Sequence, residues 1–307
     1  MFDLSSEEKR LIKRGDLATL AQLDQRGLLL GPGENSTKYF GRLKALQKNL
    51  KEFFDELHAK KEMDFYGIKL SVTESMDITH FDEAGEVTED KFAFRLNWAP
   101  GFCNNETMGL LFAGCALMDN EKPFVLFLIR KAFAKQPKWF VYSRKELLAH
   151  ESTHIAHMAY KTPDYEEFFA YQTSSSLFRR AIGGLFRSPR DTYSLLFCML
   201  SMPIFQILNL LEVTSFNLAY VAIILYIWPT IFLLQYIMRM KMLAGAIRKM
   251  ESVVTESKYA GAVLFRMTSC EIETFAHVEN PVEWINEQKE LRWDLIRYRF
   301  IKKINRE

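Results

Sequence analysis

The chain of 307 residues is 49% hydrophobic and 25% charged, which leaves room for one large domain or two ordinary ones and excludes a disordered protein. Its 40 Lys and Arg nearly balance 38 Asp and Glu, for a net charge of +2, so no basic field marks a general nucleic-acid binder. Cys103, Cys115, Cys198 and Cys270 form no C-x-x-C pair, and a reduced, intracellular setting is expected.

Two helical patterns open the chain, Ser5 to Leu28 and Thr37 to Met63, parted by the turn signal Gly31-Pro32-Gly33. They form a helical lead-in over residues 1–63, and the first of them has no apolar h-region of the kind a secretory signal needs. Alternating runs from Gly67 to Val72 and from Phe92 to Trp98 predict strands, with the acidic stretch Phe81 to Glu86 as a turn between them. At Met108 to Met118 and Phe124 to Ile129 periodicity does not decide between helix and strand. Trp139 to Tyr142 is a further strand candidate. It leads into a helix that Ser143-x-x-Glu146 would start as a capping box and Thr162-Pro163 would stop. Another helix, started by the stretch Thr162 to Tyr171, would fold back antiparallel to it. The fold class expected for this cytosolic part is α+β and mostly helical.

The mean hydropathy of −0.10 hides one concentrated apolar block. Tyr193 to Leu211 and Leu218 to Met238 contain no charged residue, and each is close to the ~20 residues that span a hydrocarbon core of ~30 Å. The connector Glu212 to Asn217 forces an antiparallel transmembrane hairpin over residues 191–240. Arg179, Arg180, Arg187 and Arg190 precede the hairpin, Arg239, Lys241, Arg248 and Lys249 follow it, and the connector has no Lys or Arg. The positive-inside rule then places both flanks, and both termini, in the cytoplasm. Residues 241–307 read as a C-terminal helical segment. Its helix starts are a capping box at Thr268-x-x-Glu271 and a cap at Asn280 followed by Pro281, and its last helix carries Trp284, Leu291 and Trp293.

Within residues 64–190 lies His150-Glu151-Ser152-Thr153-His154, the pattern H-E-x-x-H. On a helix, positions i and i+4 place both imidazoles on one face, where they can bind one Zn2+, and the adjacent glutamate can reach a metal-bound water. Chance produces the pattern in a chain of this length about once in a hundred. Context strengthens it, because Leu147, Leu148, Ile155 and Met158 form an apolar side while His150, His154 and His157 form a polar stripe. A third protein ligand is needed, and Glu166 and Glu167 at the start of the next helix are the candidates. His157 could orient a ligand or be an ordinary solvated histidine, and Tyr165 and Tyr171 are weaker candidates as oxyanion stabilisers.

H-E-x-x-H followed by a glutamate on the next helix resembles the gluzincin metallopeptidases. Glu167-Phe168-Phe169-Ala170 is similar to the E-F-F-A stretch that carries the glutamate ligand in the Mlc titration factor A family. The resemblance covers about 25 residues. It implies a zincin-like catalytic domain, His150, His154 and Glu167 as zinc ligands with Glu166 the alternate, and Glu151 as general base. A helical hairpin after the motif also resembles membrane peptidases of the HtpX type, which makes Glu256 and Glu273 rival third ligands. Tyr160 stands where a metzincin would have its third histidine. The expectation is a membrane-anchored zinc-dependent metallopeptidase that hydrolyses peptide bonds of a protein or peptide substrate at the cytosolic face of the lipid bilayer, by Glu151-assisted attack of zinc-bound water. The alternative is a membrane scaffold or regulator with a structural or inactive zinc site, and two spans without an intramembrane charge make a transporter the third choice.

Overall fold

The computed structural model describes residues 3–105, 113–119, 122–160, 164–186, 189–214 and 217–302. The chain is mostly helical. Among the described residues, strands are confined to two short hairpins and one three-stranded sheet.

The lead-in is three helices, α1 (Ser6–Arg14), α2 (Leu17–Gln25) and α3 (Ser36–Lys60). The single helix expected from Ser5 to Leu28 is broken where Gly15 takes φ +72 and Asp16 caps α2 by accepting from the Thr19 N–H. α3 buries Tyr39, Leu43, Leu46, Leu50, Phe53 and Leu57, an apolar stripe at spacings of three and four. The hairpin of β1 (Glu62–Phe65) and β2 (Ile68–Ser71) follows, the second strand where alternation predicted it.

Two expectations fail next. The stretch from Phe81 to Glu86 is not a turn but the middle of α4 (Ile78–Phe92), capped by Asp77. Its acids lie on the outer face, while Phe81, Ala84, Thr88 and Phe92 keep a helical spacing inward. Beyond α4, residues through Trp98 form no strand. Phe94, Leu96 and Trp98 are buried alternately, as period two demands, but the Arg95 N–H donates to the Gln25 carbonyl and the Trp98 indole to the Arg26 carbonyl. The extended segment is thus tied to α2 rather than to a ladder.

The sheet has the order β3 (Gly101–Cys103), β5 (Val125–Ile129), β4 (Gly114–Met118), with β3 parallel and β4 antiparallel to β5. Of the two undecided runs, Phe124 to Ile129 is therefore strand, as is the end of the other from Gly114. Its beginning lies outside the described residues. The fully buried β5 is a continuous apolar run, which explains why periodicity was silent there. A hairpin of β6 (Lys138–Trp139) and β7 (Tyr142–Ser143) then leads into α5 (Arg144–Ala156), which packs against α4 and under β4 and β5. The expected stop at Thr162-Pro163 lies outside the described residues.

The remaining helices are α6 (Glu166–Tyr171), α7 (Leu177–Ile182), α8 (Pro189–Leu210), α9 (Leu218–Glu251), α10 (Tyr259–Leu264), α11 (Ser269–His277), α12 (Pro281–Glu287) and α13 (Leu291–Phe300). α8 and α9 are long and apolar enough to cross a membrane, and few residues of their most apolar stretches are buried. The caps expected at Thr268 and Asn280 are formed, but Trp284 and Trp293 fall on two helices rather than one. Residues from the lead-in, the centre and the C-terminal segment join one hydrophobic cluster. Arg266 of the C-terminal segment makes a buried pair with Asp24 of α2 at 2.8 Å.

Candidate metal centre

α5 carries H-E-x-x-H, and its start differs from expectation. Ser143 is its N-cap but makes no side-chain capping bond. Glu146 is drawn instead to the chain after α6, where it accepts from the hydroxyls of Ser174 and Ser175 and lies 3.7 Å from Arg179. The first turn is anchored by Arg144, which donates to the Phe133 carbonyl and pairs with Glu83 of α4. These contacts fix the helix on both sides, so its histidines face one place.

One helical turn apart, His150 and His154 bring their Nε2 atoms to 3.3 Å of each other. α6 packs antiparallel on α5, and its first two residues reach the pair from different sides because successive helical residues are rotated by about 100°. Glu167 sits 3.7 Å from His150 Nε2 and 3.6 Å from His154 Nε2, completing the trio. Glu166 reaches the other nitrogen of His154, accepting from Nδ1 at 2.7 Å. The Ala170 backbone beside His150 favours its charged form. The Nε2 atoms of both imidazoles thus converge on each other and on the Glu167 carboxylate. Two imidazoles and a carboxylate are a donor set that zinc takes. With one ligand atom from each, His150, His154 and Glu167 lie within 4.8 Å of one another, close enough to share one metal ion. The residues fit the metal.

The surrounding acids set the charge of the pair. Burial, then the charge of His154, pushes His150 down to about 3. Burial also opposes charge on His154, but the Glu166 hydrogen bond and the charges of Glu151 and Glu167 outweigh it and raise His154 to about 9. Burial lifts Glu167 as well. Three carboxylates around two imidazoles leave a surplus of negative charge for a cation to neutralise.

Glu151, on the same helix, reaches the sheet. Its Oε2 accepts the Ala116 N–H of β4 at 2.7 Å, and burial raises it to about 7. A cleft of about 460 Å3 joins these groups, with His150, Glu151, Glu167 and Tyr171 in its wall and Arg179 and Phe178 farther out. The Tyr171 ring packs edge-on against His150 with centroids 4.7 Å apart.

Other expectations are corrected. His157 is not on a solvated stripe: it is 4% exposed, stacked between Tyr160 and Phe265, with Nε2 donating to the Phe265 carbonyl. Tyr165 is buried outside the cleft lining. Neither rival glutamate joins the trio: Glu256 pairs with Lys258, and Glu273 lies near Tyr165. Sequence reasoning missed the separate job of Glu166, although two adjacent acids opening a helix beside H-E-x-x-H carry that signal. It also missed the β4 contact of Glu151, which is 35 residues away and has no local signature. Comparison of the chain with family models, with curated proteins and with solved structures found no match.

Proposed function

We propose that the chain is a membrane-anchored zinc metallopeptidase, with a zincin-like catalytic domain, that hydrolyses peptide bonds at the cytosolic face of a membrane. The observation that carries this reading is the His150–His154–Glu167 trio, with His154 Nδ1 held by Glu166. His150, His154 and Glu167 would hold the metal with three protein ligands, the number found in catalytic rather than structural zinc sites, and His150 and Glu167 line the cleft. The chemistry that zinc supplies when bound is to acidify water and polarise a carbonyl.

Glu151 is placed to take the proton of an attacking water and hand it to the leaving amine. Its carboxylate, raised to about 7, is tuned for exchange near neutral pH. β4 is the sheet's edge strand, and Ala113 and Gly114 border the cleft. An extended polypeptide laid along that edge finds backbone partners, which supports a peptide as the substrate. Two long helices with charge-free runs, few of whose apolar side chains are buried, support the membrane anchor.

Glu151→Gln tests the activity directly. The variant should keep near-stoichiometric zinc, read by plasma emission spectrometry, while hydrolysis of a peptide library falls by at least about a hundredfold. Zinc present in both proteins with no hydrolysis by either would favour the structural or regulatory role. A wild type purified without chelator that holds no zinc would end the metal reading.

A further inference from the structure

The rim of the cleft is apolar where a water-facing rim should be polar. In α7, with the sequence Leu177-Phe178-Arg179-Arg180-Ala181-Ile182, Leu177 is 75% exposed and Phe178 is 70% exposed, with Ala181 and Ile182 also outward. These four fall on one helical face. Both arginines turn inward: Arg180 donates to the Ser174 carbonyl, and Arg179 donates to the Val141 carbonyl at 2.6 Å and lies over the Tyr142 ring. Arg179 thereby ties α7 to the tip of the β6–β7 hairpin, where Phe140 is 77% and Val141 57% exposed. Two separate elements thus offer their largest apolar side chains to the outside at the same place, and Phe178 also lines the cleft.

What covers this patch follows from its level on α9. The Tyr236 hydroxyl donates to the Ala181 carbonyl of α7, and Arg239 lies 3.9 Å from Asp164. Tyr236 and Arg239 end the apolar run of α9, the depth at which amphipathic rings and the first basic residues meet headgroups. Phe186, a cleft residue, packs against Phe232, one turn deeper on the apolar side. The cleft and α7 are therefore joined to α9 at the end of its apolar run.

We propose that the rim formed by Phe140, Val141, Leu177 and Phe178 is seated in the interfacial layer of the bilayer, so that the cleft opens at the membrane surface. This rests on the membrane-anchored metallopeptidase reading and adds to it a route for substrate, namely polypeptide as it leaves the bilayer. The short α7 behaves as an interfacial helix, apolar face in lipid and charges toward the protein.

The test uses the full chain with Cys115→Ser and Cys270→Ser, reconstituted in phosphatidylcholine–phosphatidylglycerol vesicles. An environment-sensitive fluorophore is attached singly through Phe140→Cys, Leu177→Cys, Tyr226→Cys or Tyr298→Cys, and quenched by lipids bearing a nitroxide near the headgroup or deep in the acyl chain. The expected result is a blue shift and loss of most fluorescence to the shallow quencher at 140 and 177, deep quenching at 226, and neither effect at 298. Quenching at 226 with positions 140 and 177 behaving like 298 overturns the seated rim and leaves the anchor standing. No quenching at 226 overturns the anchor and the rim with it, and equal quenching at 298 and 140 shows non-selective adsorption and also overturns the rim. Zinc content measured on the same samples reports on the metallopeptidase reading separately.

Discussion

Adjacent glutamates with the same side chain have different consequences when removed. Glu167 faces the Nε2 side and Glu166 the Nδ1 side of His154, so Glu167→Gln removes an anionic ligand while Glu166→Gln removes only the group that orients one. Outer partners of this kind typically change metal affinity by about 10–100-fold. Competition titration against a chromophoric zinc chelator should show a loss of that size in Glu166→Gln and a larger one in Glu167→Gln. The reverse order would reassign the ligand. A second residue-scale effect comes from His157. Burial pushes it down to about 4 against the pull of the Phe265 carbonyl, and its Nδ1 has no hydrogen-bond partner. With the folded value below the ordinary 6.5, its contribution to stability is fully present above that pH and is lost as pH falls toward 4, by about 3 kcal/mol at the end of that window. His157→Phe keeps the stacking and removes the titration. Denaturation midpoints in detergent should therefore fall more steeply between pH 6.5 and 4 in wild type than in the variant.

At the scale of elements, the cleft depends on the close approach of the segment after α7 to α6. A Cβ on Gly183 would fall 2.0 Å from the Tyr171 ring, and one on Gly184 would meet Phe168 backbone at 3.0 Å. Gly183→Ala must displace Tyr171, which packs on His150. We expect a stability loss of about 1–3 kcal/mol from overpacking together with weaker zinc binding, read by chemical denaturation and chelator competition on the same samples. Unchanged zinc affinity would show that Tyr171 does not hold the histidine in place. The elements also show which parts of the molecule were legible in advance. The H-E-x-x-H helix, the caps at Thr268 and Asn280 and both apolar helices are local patterns, with partners within one or two turns, and the structure has them. The misread elements were decided at a distance. Ser143-x-x-Glu146 has the spelling of a capping box, but Ser174, Ser175 and Arg179 capture Glu146. The extended run after Phe92 alternates like a strand, yet its backbone partner is Gln25. Acids outnumber apolar groups between Phe81 and Glu86, and the buried face of α4 shows only when Thr88 and Phe92 are counted with Phe81 and Ala84.

For the whole molecule, α9 is the part that joins the apolar hairpin to the site. Its 34 residues extend about 51 Å at ~1.5 Å per residue, more than a hydrocarbon core of ~30 Å needs. The excess is not idle: Leu243, Ala246 and Met250 are fully buried, packed with α10 and α11 in the same hydrophobic cluster that includes Leu148 and Ile155 of α5. One helix thus runs from the apolar hairpin into the core around the metal centre, and the catalytic part cannot lie on the opposite side of a membrane from the C-terminal segment. On the reading proposed above, the basic flanks put that shared side in the cytoplasm and the connector on the other. Cysteine labelling on intact cells checks the assignment, because Cys270 of α11 is exposed and Cys103 and Cys198 are buried. A membrane-impermeant maleimide should modify Thr214→Cys in the connector at once, and reach Cys270 only after the membrane is permeabilised. The opposite pattern would turn the cleft outward, and the proposed peptide substrate would have to be met on that side.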